Sequence, residues 1–108
     1  MVQRISASHL HELTDQQKEK LRTQWAPEEG EYIAIGDHEE MIYYLNGVEK
    51  HKSLPLLTVG QMIAYLTEHE AGFCMQRDSE EWVVRMSAME EREEELCDAL
   101  WNVMKIVL

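Results

Sequence analysis

Residues 87–108 read Ser87-Ala-Met-Glu-Glu-Arg-Glu-Glu-Glu-Leu-Cys-Asp-Ala-Leu-Trp-Asn-Val-Met-Lys-Ile-Val-Leu108, and their interpretation decides the architecture. Ser87 with Glu90 three residues on matches the capping-box pattern that opens a helix. A dense acidic run, Glu90, Glu91, Glu93, Glu94 and Glu95, leads into a segment whose only polar members beyond Cys97 are Asp98, Asn102 and Lys105. Spacings of four and three put those three on one line along a helix. The pattern predicts one C-terminal helix of about twenty residues, roughly 30 Å long. The circumference away from the polar line is apolar, and a helix apolar nearly all round is buried on several sides. One reading makes it the central helix of the fold. The other makes Leu100, Trp101, Met104 and Leu108 a symmetric seam with a second copy, because monomers seldom leave large apolar patches exposed. A homodimer is the expectation.

Towards the N-terminus, residues 73–77 and 81–86 read as a hairpin about Asp78-Ser79-Glu80, and Trp82, Val83 and Val84 make its second strand the stronger. Thr58 with Gln61 forms a capping box before Val59, Met62, Ile63 and Leu66, which recur at helical spacing and stop near His69, ahead of Gly72. Residues 31–36 and 40–45 form another predicted hairpin, turning at residues 36–39, with Tyr43 and Tyr44 on its faces. Asn46-Gly47 is a second turn signal, and residues 48–52 are expected as a short polar edge strand. Thr14 and Gln17 box the start of a helix that runs to about Gln24 with Leu21 inward, and Pro27 forbids its continuation. Residues 5–12 make a short helical turn. The order is α-ββ-α-ββ-α. That is an α+β domain, small antiparallel sheets packed by helices with a long C-terminal helix.

The 108 residues fit one domain and carry a net charge of −11, of which −7 falls in residues 68–108. Three Trp, four Tyr and seven Met argue against disorder, and the Met residues are expected as core filler. Phosphate backbones and anionic membranes are bound mainly through Lys and Arg, so direct nucleic-acid or membrane binding is disfavoured. A basic protein partner, or simple solubility, fits better. Cys74 and Cys97 are far apart without a CxxC spacing and read as free thiols of a reducing cytoplasm. No signal-peptide pattern opens the chain and no apolar run reaches a membrane span, so a cytoplasmic location is expected.

Catalytic signals are sparse. His9-x-His11 lacks a third metal ligand by spacing, and His38, His51 and His69 are scattered. Glu28, Glu29 and Glu31 around Gly30 read as a solvated turn. No nucleophile elbow, phosphate loop or dinucleotide glycine pattern occurs. The chain therefore has no expected catalytic, cofactor-binding or metal residues. The acidic residues Glu90, Glu91, Glu94, Glu95 and Asp98 are candidates for a partner-binding face, against the plainer reading of a solvated helix start.

Two segments carry a resemblance. Arg22-x-x-Trp25-x-Pro27-x-x-Gly30-Glu31-Tyr32 resembles an Arg-x-x-Trp-x-Pro-x-x-Gly-Asp-aromatic opening, with Glu31 where that pattern has Asp. Leu54-Pro55 followed by Gln61-Met62 is similar to a Leu-Pro…Gln-apolar pattern, and Asp98-Ala-Leu-Trp101 agrees. The segments together resemble small acidic proteins of phages and prophages of Gram-positive bacteria. That resemblance brings no catalytic residues. It implies a non-enzymatic protein-interaction or accessory protein of prophage type. The alternatives are a DNA-mimic inhibitor of a nucleic-acid-binding host protein, using the acidic face, and a small enzyme or metal-binding protein.

Overall fold

A computed structural model describes residues 1–108. The protein is α+β in the order α-ββ-α-ββ-α, and each hairpin gains a third antiparallel strand. The chain forms two compact units, one of Ser6–Leu57, the other of Met1–Ile5 with Thr58–Val107.

The first unit begins with α1 (Ala7–Leu10) and α2 (Asp15–Gln24). Thr14 Oγ1 accepts from Gln17 N at 3.1 Å and Gln17 Oε1 from Thr14 N at 2.8 Å, so the box forms as the local sequence dictates. Past α2 the chain is extended at Trp25, and Glu31 organises the turn that follows. Its carboxylate accepts from Glu28 N at 2.8 Å and from the Trp25 indole at 3.3 Å. Gly30 sits at φ +91, where a side chain is strained. The Trp-x-Pro-x-x-Gly-acid motif is thus a structural turn, with Glu31 as its acid.

Strands β1 (Tyr32–Ile35), β2 (His38–Met41) and β3 (Leu54–Pro55) make a sheet of order β2-β1-β3. The hairpin turns on two residues, with Gly36 at φ +61 in the first central position, the position a type II′ turn reserves for Gly. The turn is tighter than the four residues expected, because His38 and Glu39 already pair with Ile35 and Ala34. Residues 48–52 are not a strand. They lie across two 3₁₀ turns, Leu45–Gly47 and Lys50–Lys52, and the third strand falls at Leu54–Pro55. Buried Ser53 curls this stretch by donating its hydroxyl to the Glu49 carbonyl at 2.9 Å and its N–H to the Lys50 carbonyl at 3.2 Å. Pro55, with no N–H to give, is suited to the short edge strand it occupies.

The second unit holds α3 (Val59–His69), then β4 (Cys74–Asp78), β5 (Glu81–Met86), β6 (Met89–Glu93) and α4 (Leu96–Val107). Thr58 and Gln61 cap α3 reciprocally, and Met62 and Leu66 are its buried face. The N-terminal segment joins this unit through Val59 N to the Gln3 carbonyl at 2.9 Å.

The long helix expected from Ser87 is corrected at its start. Residues 89–93 are the third strand of a β4-β5-β6 meander, and the helix begins at Leu96. The reason is non-local. In a helix the carboxylates would repel at i,i+4. In the strand they alternate about the pleat: Met89, Glu91 and Glu93 are half-buried beside Met86, Val84 and Trp82, while Glu90 and Arg92 face out. Helix α4 packs on α3, β5 and β6, and its polar line Asp98, Asn102, Lys105 is the half-exposed one. Asn102 Nδ2 donates to Glu93 Oε2 at 3.0 Å, which identifies the sheet face that α4 covers. Of the Met residues only Met62, Met86 and Met104 are buried; Met1 and Met75 are exposed, so core filler describes a minority. No helix is long and apolar enough to cross a membrane.

Candidate functional site

The acidic candidates do not form one face. Glu90 and Glu91 are neighbours on a strand and point to opposite sides of the sheet, Glu94 and Glu95 lie in the bend before α4, and Asp98 is in its first turn. Most of the run is used within the chain. Arg85 Nε donates to Glu90 Oε1 at 2.7 Å, Arg92 Nε to Glu90 Oε2 at 3.0 Å, and Arg92 Nη1 to Asp78 Oδ2 at 3.1 Å. Arg85 Nη1 reaches Gln76 at 3.0 Å. The hydrogen bond from Arg85, and then that from Arg92, holds the Glu90 carboxyl below its ordinary range, and Glu90 in turn raises the Arg85 guanidinium. Glu93 takes Asn102, and Glu95 Oε2 accepts from Val2 N at 3.2 Å. Val83, fully buried, has Gln76 and Arg92 as cross-strand partners, so the ion network surrounds an apolar centre.

The apolar candidates are interior. Leu100, Trp101 and Met104 are at most 1% exposed, which leaves Leu108 alone of the four partly accessible. Three of the four residues expected at a seam are therefore covered within the chain, while Ile106, a large apolar residue of the same helix, is exposed.

The accessible apolar surface is in the first unit. A hollow of about 310 Å³ opens on one face of the β2-β1-β3 sheet. Ile33, Ile35 and Ile42 form its floor, Val48 one wall, and Tyr44, Glu40, Glu49 and Lys52 its rim. Ile33 and Ile42 belong to a small core with Trp25, against which Val48 packs, so the floor is tied into that core. Tyr43 and Tyr44, expected on strand faces, lie beyond the end of β2 and are 71% and 75% exposed; Leu45, Tyr32 and Ile35 are exposed as well. A small three-stranded sheet has one buried place for each alternate residue, and the unbroken run Met41-Ile-Tyr-Tyr-Leu45 exceeds it. That absence of alternation was the signal in the sequence.

β2 is also an open edge. Ile42 N–H donates to the Glu31 carbonyl at 2.8 Å, so by antiparallel alternation His38 and Glu40 bond inwards. Glu39 and Met41 then turn their backbone groups to the side where no strand pairs. Hollow, aromatic rim and open edge are contiguous along residues 38–45.

Nothing in this arrangement is a nucleophile with its base. Ser6 and His9 do meet, with Nδ1 of His9 accepting from Ser6 N at 3.0 Å and lying 2.9 Å from Ser6 Oγ, but they do so as the cap of α1, away from the hollow, and His11 pairs with Asp37 at 2.6 Å. No group of three or more His, Cys, Asp or Glu is gathered to hold a metal ion. Cys97 is buried, and burial, reinforced by Asp98 and Glu95, pushes its thiol up to about 11, far from reactive thiolate chemistry. The site can hold an apolar side chain and pair with an extended backbone. No family model matches this chain, and no curated protein and no solved structure is significantly similar to it.

Proposed function

We propose that this protein is a non-enzymatic interaction module, of the accessory type suggested by its resemblance to prophage proteins, which binds an extended protein segment along β2. The observation that carries the reading is the pair Tyr43 and Tyr44, exposed beside an apolar hollow at an unpaired strand edge. Edge-strand addition gives affinity through main-chain hydrogen bonds and specificity through pockets for alternate side chains. Tyr is a residue type enriched in protein interfaces. Charge sets the partner's chemistry: on the rim of the hollow Lys52 pairs with Glu49 and leaves Glu40 in excess, and the chain carries −11. The segment bound has an aliphatic or aromatic anchor flanked by Lys or Arg.

Selection of a random peptide library on the full chain tests this. Enrichment of apolar anchors beside basic residues is expected, with binding weakened about tenfold or more by Tyr44→Ala, the size of a central aromatic anchor, and reduced by Glu40→Lys. Binders indifferent to both substitutions would overturn the proposal. So would a particle mass that doubles with concentration and returns to that of one chain in Glu40→Lys, which would make a second copy the occupant.

A further inference from the structure

Parity along β2 fixes the direction and spacing of a bound segment as well as the free edge. His38, Glu40 and Ile42 spend their backbone groups inwards: Ile42 N–H donates to the Glu31 carbonyl, and the Ile42 carbonyl accepts from Gly30 N, both at 2.8 Å. Glu39 and Met41 present their N–H and C=O groups on the open side.

Side chains alternate with the same period. Glu40, register partner of Ile33, is on the face that bears the hollow, and Ile42 lines it as well. Ala34 and its partner Glu39 are on the other face, where the Glu39 carboxylate accepts from Ala7 N at 2.6 Å, so α1 stands on that side. An antiparallel strand added to the edge therefore exchanges main-chain bonds opposite Glu39 and Met41. Its residues opposite Glu40 and Ile42 turn their side chains to the hollow, in the non-hydrogen-bonded pairs where side chains come closest.

The two positions differ in chemistry. Opposite Ile42 the surroundings are apolar and aromatic, with Val48 and Tyr44 beside Ile42. Opposite Glu40 stands a carboxylate that has the His38 imidazole at 3.3 Å and no Lys or Arg. Antiparallel strands run in opposite senses, so the residue opposite Ile42 comes two places before the one opposite Glu40. Every strand pair of the protein is antiparallel, the pairing that is slightly more stable per residue.

Resting on the docking reading, we propose that the occupant of β2 is an antiparallel segment of another protein carrying an apolar-x-basic triplet from N- to C-terminus. The apolar side chain enters the hollow and the Lys or Arg meets Glu40. A second copy of β2 fits worse. Two-fold pairing centred on Glu39 or on Glu40 sets identical carboxylates opposite each other, which destabilises a sheet. Centring it on Met41 sets Glu40 against Ile42.

Fluorescence anisotropy of the full chain with two labelled peptides tests this. One carries Leu-Ser-Lys between Gly-Ser flanks, the other the reversed Lys-Ser-Leu, at equal charge and composition. The first is expected to bind about tenfold more tightly, because reversal takes the apolar anchor out of the hollow. N-methylation of its central Ser, which lies opposite Met41, removes a main-chain donor and is expected to weaken binding about tenfold. N-methylation of its Lys, whose N–H points away from β2, should leave binding unchanged. In Glu40→Lys, a Leu-Ser-Glu peptide is expected to become the tighter ligand by about fivefold, the size of a cross-strand charge pair. Equal binding of both orders, tighter binding of Lys-Ser-Leu, or tolerance of N-methylation at the central Ser overturns the triplet and leaves docking at β2 standing. If neither peptide binds while the library still yields binders that need Tyr44, the triplet alone falls. If the library yields none, both readings fall.

Discussion

Glu90 stands directly across the sheet from Arg85, whose Nε donates to it at 2.7 Å, while Arg92, two residues along Glu90's own strand, closes on its other oxygen at 3.0 Å. The carboxylate that looked most like a free charge is held between two guanidinium groups. Exposed pairs contribute little singly, but a network gives a strand register.

That geometry sets a pH dependence. The Glu90 carboxyl is held below its ordinary value of 4.5, so its contribution is present above that value and disappears as pH falls through the lower folded-state value. Urea unfolding of the protein and of Glu90→Gln should differ at neutral pH, begin to converge as the pH drops below 4.5, and coincide only below the folded-state value. A gap unchanged at acid pH would remove the network from the stability of the sheet.

Trp101 is 1% exposed in the middle of α4. Trp101→Ala should destabilise the fold by about 3–5 kcal/mol, the usual cost of emptying a core aromatic site. Light scattering should show the same particle mass for both proteins where both are folded. A drop in mass with unchanged melting would place Trp101 at a subunit contact instead.

Ser79 turns the β4-β5 hairpin at φ +52, where only Gly is unstrained. Ser79→Gly should stabilise the protein by about 0.5–1 kcal/mol, less than the full left-handed penalty because Gly loses more entropy on folding. Denaturant midpoints decide it, and a lower midpoint for the variant refutes the assignment of strain.

The two thiols should react separately. Cys74 is exposed, whereas Cys97 is buried with its thiol pushed up to about 11. Iodoacetamide at neutral pH should give one adduct, at Cys74, on the folded chain and two in denaturant, read by mass spectrometry of peptides.

Glu31 holds the turn after α2 through Glu28 N and the Trp25 indole. Glu31→Ala should cost about 1–3 kcal/mol, the range for losing hydrogen bonds to a charged group. Calorimetric melting of the variant measures it, and no change would show the turn to be set by Gly30 alone.

The contrast among three capping-box patterns explains what sequence reasoning could reach. Thr14 with Gln17 and Thr58 with Gln61 become capping boxes, but Ser87 with Glu90 does not. All three satisfy the same local rule. Only the third is followed by residues that find a better partner elsewhere: Glu90 meets Arg85, and Met89 meets Met86, across a strand edge that β5 leaves open. Tyr43 and Tyr44 fail for the related reason that strand propensity does not say where a sheet stops.

Sequence alone was sufficient for features that depend on residues a few positions apart. These are the α+β order, the capped starts of α2 and α3, the hairpin turn at Gly36, and the polar line of α4. Tertiary structure decided whether the apolar half of α4 faced its own chain or another, and whether the acidic run was solvated helix or paired strand. It also determined which aromatic residues were left outside. Each of these depends on what lies across from a residue, and cross-strand and packing partners are set by the whole fold rather than by spacing along the chain.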